Sequence, residues 1–394
     1  MAKTGSDTTL KNSIIARSHP LISPVNPAME VWEGLRSIRA DSVDKGLHQL
    51  VEGAKITFVR SKLNLVSNYT PIEFFSLLKI MDEGKLSADE KKLGIEILKI
   101  FVQKKAETGA KNIDPLLNAG PNTYFTQRFK LLFHQYDEKY LRSLLPVLLK
   151  NHPENLSFNI LQAAVDFDKE KYDEAMKYCD QAIAIFPSYA YAYMLKGRCE
   201  GRINKYDLEI QDETTALSYY PKYVDALYYR GGGYEDKEKY REAVNDYNLI
   251  NVLWPGYEYT DYDLGRSYKN LNQLDSTLYF ANRYIRQAPE DEDGYELKGD
   301  AYYKRDDNAA AVDCYSQAIK LAPGRSIFYE DRGDAYYYLN KIDTALLDFQ
   351  KDALLDKKNS YPLKRIGDCY YAKKDYANSI IYHKKALKLD PAYT

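Results

Sequence analysis

Apolar residues recur at helical spacing, three or four apart, along most of this chain, and strand-like alternation is absent. Met29, Val31, Trp32 and Leu35 follow a helix start at Asn26-Pro27; Val43, Leu47, Leu50, Val51 and Ala54 form a second stripe. Thr70-Pro71 opens Ile72–Met81, with proline at the first helical position, where its missing N–H is no loss. Ser87-Ala88-Asp89-Glu90 has the form of a capping box ahead of Leu93, Ile95, Ile97, Leu98 and Phe101. The pattern predicts an all-α protein.

Beyond about residue 150 a second order is laid over the first. Glycines stand at 197, 231, 265, 299, 333 and 367, each 34 residues after the last. Prolines keep the same period from Pro153 to Pro323, Lys357 takes the next place, and Pro391 resumes the series. Each interval has room for two helices. Tyr234, Tyr268, Tyr302, Tyr336 and Tyr370 come three after a glycine, and small residues recur twelve after it (Ala243, Ala311, Ala345, Ser379). A further alanine precedes the proline by five at Ala182, Ala216, Ala318 and Ala386. Small residues let two helix backbones approach closely, tyrosines fill the gap between neighbouring pairs, and proline closes the second helix. Glu209 and Thr277 replace the second-helix alanine, and Asp352 replaces the late one, which predicts looser joints there.

This pattern of Gly, aromatic, Ala, Ala and Pro resembles the tetratricopeptide repeat, most closely in GDAYYKRDDNAAAVDCYSQAIKLAP from Gly299 to Pro323. The resemblance implies a right-handed α-solenoid of about seven helix pairs over residues 156–394. It also implies protein or peptide binding in a concave groove lined by the first helix of each pair. Residues 119–155 fit a degenerate capping helix pair, since terminal repeats are commonly atypical. Residues 27–118 fit a helical N-terminal domain, and residues 1–26, broken by Pro20 and Pro24, an extended arm.

Residues three before, one after and four after each glycine share one stripe of the first helix. They give candidate groove residues Arg198, Tyr228, Tyr262, Arg266, Lys269, Asp300, Tyr303, Asp334, Tyr337, Asp368 and Tyr371. The early stripe is mixed and rather basic. The late stripe is an acidic ladder flanked by tyrosines, which would repel a peptide's C-terminal carboxylate.

Composition narrows the function classes. Residues 1–155 carry a net charge of +5 and residues 156–394 a net of −7, with no concentrated basic stripe for nucleic acid. The four cysteines and five histidines show no metal-ligand spacing, and no catalytic motif is present. The Gly231-Gly232-Gly233 triplet lies inside a helical pattern, so it does not form a phosphate loop. No enzyme activity, cofactor or metal is therefore expected. No apolar run reaches membrane-spanning length and no secretory segment follows Met1, which predicts a protein without membrane insertion, cytoplasmic if Met1 is the natural start and periplasmic or secreted if a signal has been removed. The leading expectation is a scaffold or adaptor; the alternative is a peptide-sensing regulator with an N-terminal effector domain. The last helix carries Ile380, Ile381, Leu387 and Leu389, more apolar residues than one neighbour covers, which suggests self-association or a partner at that end.

Overall fold

The computed structural model describes residues 81, 86–103, 123, 126–128, 138–257 and 260–391. The arm over 1–26 and most of the expected domain over 27–118 lie outside the described residues. Helix α1 (Ala88–Gln103) opens on the capping box read from the sequence: Glu90 N–H donates to Ser87 Oγ at 3.3 Å, and Ser87 N–H to Glu90 Oε2 at 3.0 Å. Helix α2 (Glu138–Asn151) covers the span expected for the second helix of a capping pair, and the span of the first, 124–136, lies largely outside the described residues.

Helices then follow in order to the end: α3 (Leu156–Asp168) packs with α4 (Tyr172–Ile185), α5 (Ala190–Arg202) and α6 (Tyr206–Tyr219) come next along the chain, and α7 (Val224–Asp236) pairs with α8 (Tyr240–Leu253) and α9 (Thr260–Asn270) with α10 (Leu274–Gln287). The series continues through α11 (Glu292–Tyr303) with α12 (Asn308–Leu321), α13 (Ser326–Tyr338) with α14 (Ile342–Leu355), and α15 (Tyr361–Ala372) with α16 (Tyr376–Leu389). Among the described residues there is no strand. Both units are all-α among the described residues, and the second builds a solenoid from consecutive pairs, α7 with α8 through α15 with α16.

Two compact units divide the chain. The first holds the described residues up to Cys199 together with Ser218–Tyr220; the second holds Glu200–Leu217 and everything from Pro221. In the first unit Asn155 caps α3 by accepting from Phe158 N–H at 3.2 Å, and Ala163, Cys179 and Leu195 form a buried core. In the second unit each helix packs on its successor from α7 to α16.

Three repeating devices build these pairs. The first is the glycine. A Cβ added at Gly231, Gly299 or Gly333 would lie 2.6–2.7 Å from the ring of Tyr247, Tyr315 or Phe349, sixteen residues on. The glycine thus makes room for a ring of its partner helix, rather than letting two backbones meet as the sequence pattern suggested. His383 fills the same place against Gly367. The second device is the small-residue column, with Ala243, Ala311 and Ala345 fully buried and Thr277 buried there too, its hydroxyl donating to Gln273 O at 3.2 Å.

The third device gave no signal in the periodicity of glycine and proline. Between the helices of each pair one residue adopts the left-handed conformation: Glu170, Asn204, Glu238, Asn272, Asp306, Asn340 and Lys374, at φ 55 to 62°. The next N–H then returns to the carbonyl five residues back, as in Lys239 to Tyr234 and Lys341 to Tyr336, which satisfies the helix end. Asparagine and aspartate tolerate this region better than other side chains.

Cys179, Cys199, Cys314 and Cys369 are buried free thiols. On α16, Ile380 is 55% exposed, whereas Leu346, its counterpart on α14, is 9% exposed because α15 covers it.

Candidate protein-binding face

Each first helix turns its stripe residues to one side. The structure shows how they are held.

In the first unit the Arg198 guanidinium stacks 4.4 Å from the centre of the Phe167 ring. The remaining candidates belong to the second unit. Tyr228 sits in an aromatic cluster with Tyr229, Tyr247 and Tyr257, ring centres 5.7–6.1 Å away. Tyr262 packs 5.3 Å from Tyr284 and lies under the Arg266 guanidinium. Burial, and then the nearby Asp293 charge, push its hydroxyl up to about 12.

The charged candidates form cross-repeat pairs. Arg266 bonds the buried Glu235 carboxylate of the preceding repeat, which also accepts from Ser267 Oγ at 2.5 Å. Lys269 Nζ donates to Asp300 Oδ2 at 2.6 Å. Both pairs join the place four after one glycine to the place one after the next, with the signs exchanged. Tyr303 and Tyr337 occupy the first of these places in later repeats, beside Asp334 and Asp368, and burial raises both hydroxyls with those carboxylates adding to it.

The ladder of Asp300, Asp334 and Asp368 is therefore not bare. Asp300 also accepts from Tyr315 Oη at 2.9 Å. Asp334 accepts from Tyr361 Oη and from Arg365 Nε, each at 2.6 Å. Asp368 accepts from Arg365 Nη1 at 3.2 Å, with His383 Nε2 3.6 Å away. Tyr371 is 64% exposed, its ring 5.5 Å from Tyr376.

Sequence reasoning missed Arg365, which lies 4.3 Å over the Tyr337 ring while holding two rungs of the ladder. It stands two before its glycine, in a column where Leu195 and Leu297 are almost fully buried. Asp263 and Asp331 share that column, so charges in an otherwise apolar register were the signal. Asp331 lies amid Asp300, Glu296, Glu330 and Asp334, and burial and those carboxylates push it up to about 9.

Among the described residues, no His, Cys, Asp or Glu group is arranged to hold a metal ion, and no helix is long and apolar enough to cross a membrane.

Family models described as tetratricopeptide repeat match residues 262–326, 296–362 and 365–393. Human Tetratricopeptide repeat protein 6 is 22% identical over 196 residues, which cover 49% of this chain and 38% of that protein. The DnaJ homolog subfamily C member 3 homolog of Dictyostelium discoideum is 24% identical over 211 residues, covering 48% and 41%. The chain thus spans about two fifths of the length of these relatives. A tetratricopeptide repeat protein from Parabacteroides merdae superposes with a TM-score of 0.50 at 19% identity, over 60% of this chain and 93% of that one. The C-terminal part of a TPR repeat-containing protein from Cytophaga hutchinsonii also gives 0.50 at 19% identity, over 59% and 96%. These two likenesses show the fold.

Proposed function

We propose that this chain, which belongs through its C-terminal half to the tetratricopeptide repeat family, is a non-catalytic scaffold or adaptor that holds a partner protein or peptide on its first-helix face. Repeats of this kind generally serve protein interaction, and a fold alone names no partner. One observation carries the reading to this face. The packing columns repeat from pair to pair, with glycine against a ring and alanine in the joint. The stripe one after the glycine instead runs Arg198, Gly232, Arg266, Asp300, Asp334 and Asp368. That variation, with Arg266, Asp300 and Asp334 fixed by pairs between repeats, supports a face of defined and changing chemistry for a particular chain to recognise.

Affinity capture with mass spectrometry tests this. Lys364→Ala with Tyr371→Ala alters the first-helix face, and Leu347→Ala with Leu354→Ala alters exposed second-helix positions (66% and 63% exposed). Partners of the unaltered protein should be lost from the first variant and kept by the second. Equal recovery by both would remove support for this face.

A further inference from the structure

Besides its charges, the first-helix face of the second unit carries a ledge of aromatic rings. Tyr303, Tyr337 and Tyr371 stand four after the glycine in three successive repeats, where the earlier repeats carry Gly201, Glu235 and Lys269. Tyr338, beside Tyr337 on α13, joins two of them. Its ring centre lies 5.9 Å from that of Tyr303 and 6.1 Å from that of Tyr337, with ring planes at 62° and 87°. Tyr371 meets Tyr376 at 5.5 Å and 64°. Tyr338, Tyr371 and Tyr376 are 63%, 64% and 54% exposed.

Contacts between repeats hold these rings in place. The pair of Tyr303 and Tyr338 crosses from α11 to α13, and Arg365 of α15 lies 4.3 Å over the Tyr337 ring while bonded to Asp334. Rings fixed before a ligand arrives lose little freedom on binding it. Edge-to-face contact also leaves furrows between neighbouring rings, walled by aromatic faces and edged by hydroxyls.

Spacing decides what such a ledge fits. Packed neighbouring helices lie roughly 8–10 Å apart, so α11, α13 and α15 present their equivalent tyrosines at about that interval. A bound α-helix completes a turn about every 5.4 Å, and a strand returns a side chain to one face about every 6.6–6.8 Å. A polyproline II helix has three residues per turn at about 3.1 Å each, and so repeats about every 9.3 Å. Only the last matches one turn to one repeat. Its proline rings suit aromatic walls, and its carbonyls, free of internal hydrogen bonds, can accept from tyrosine hydroxyls. Asp334 and Asp368, the carboxylates beside Tyr303 and Tyr337, disfavour the other chain that stacks on such rings, an anionic nucleic-acid strand.

We infer that the ledge of Tyr303, Tyr337, Tyr338, Tyr371 and Tyr376 binds a proline-rich segment of the partner in the polyproline II conformation, one turn of the segment to each repeat. This rests on the first-helix face being the binding face, and it names the conformation and chemistry of what lies there.

The test is calorimetry of the full chain with deca-proline as probe and a glycine–serine decapeptide as reference. Ten prolines span about 31 Å, three turns for three repeats. Deca-proline should bind and the reference should not. Tyr338→Ala with Tyr371→Ala should weaken deca-proline binding about tenfold or more, as loss of aromatic anchors does. Tyr338→Phe with Tyr371→Phe keeps the rings and should retain most of the affinity. Trp254→Ala with Tyr279→Ala removes aromatic residues of similar exposure (51% and 58%) away from the ledge, and should change binding little. Equal weakening by the ledge pair and the distant pair, or no preference for deca-proline over the reference, would overturn the inference. So would binding of cellohexaose in place of deca-proline, since sugars also stack on aromatic rings. The peptide comparison uses unaltered protein, so it stands even if the ledge variant folds poorly. A captured partner that protects the first helices yet is not displaced by deca-proline would overturn this inference and leave the scaffold reading intact. Protection confined to the second helices would overturn both.

Discussion

The ring of Phe349 occupies the volume that a side chain on Gly333 would need: an added Cβ would stand 2.7 Å from Phe349 Cε1. The same relation joins Gly299 to Tyr315 and Gly231 to Tyr247. The period-34 glycine is thus half of a pair whose other half is an aromatic ring, fully or almost fully buried, on the second helix.

Gly333→Leu should therefore displace Phe349 and destabilise the second unit by roughly 1–3 kcal/mol, the usual range for overpacking. Contacts in a solenoid run between neighbours, so the damage should be greatest from α13 to α15. Hydrogen exchange resolved by segment checks this. A uniform rise over every pair would contradict the nearest-neighbour packing.

The left-handed residue between paired helices offers a change of opposite sign. Lys374 holds φ 62° and Glu238 φ 56° without the local side-chain bonding that suits asparagine to this region. The left-handed region disfavours ordinary side chains by roughly 1–2 kcal/mol, and Asn, the residue at the same place in three repeats, recovers part of that. Lys374→Asn should raise the denaturation midpoint with an unchanged denaturant slope. A lowered midpoint would mean that the lysine side chain supplies something the backbone does not reveal.

Stability should also depend on pH in a particular direction. Burial first, and then like charges, raise Glu209 to about 8, Asp352 to about 7 and Asp331 to about 9 in the folded chain. Carboxyls in an unfolded chain titrate near 4. Between these values the folded state binds more protons, so the stability these groups contribute is present below about pH 4 and lost as pH rises through about 7 to 9. Asp352→Ala restores the small residue of its column, and should flatten the decline and raise stability at pH 8.5. Denaturation curves at pH 5.5 and 8.5 decide it; a steeper decline in the variant would show that the buried carboxyl is paired.

Much of the fold was legible because the packing columns are apolar, small or glycine and repeat at a fixed interval. Gly299, Ala311, Ala318 and Pro323 announce helix ends and joints by their residue type alone. What stayed hidden depended on contacts between repeats. Nothing in the spacing of Asp334 and Arg365 shows that they meet, since they lie 31 residues apart and on different helices. The acidic ladder was visible as a column but its cations were not. Glu209 and Asp352 were visible as departures from alanine, while their burial, which gives them their chemistry, depended on neighbours from other elements.

The central claim is that a partner lies on the first-helix face, and hydrogen exchange of the full chain with and without a captured partner tests it most directly. Protection is predicted on α9, α11, α13 and α15, with α10, α12 and α14 unchanged. Protection confined to α10, α12 and α14 would contradict the account.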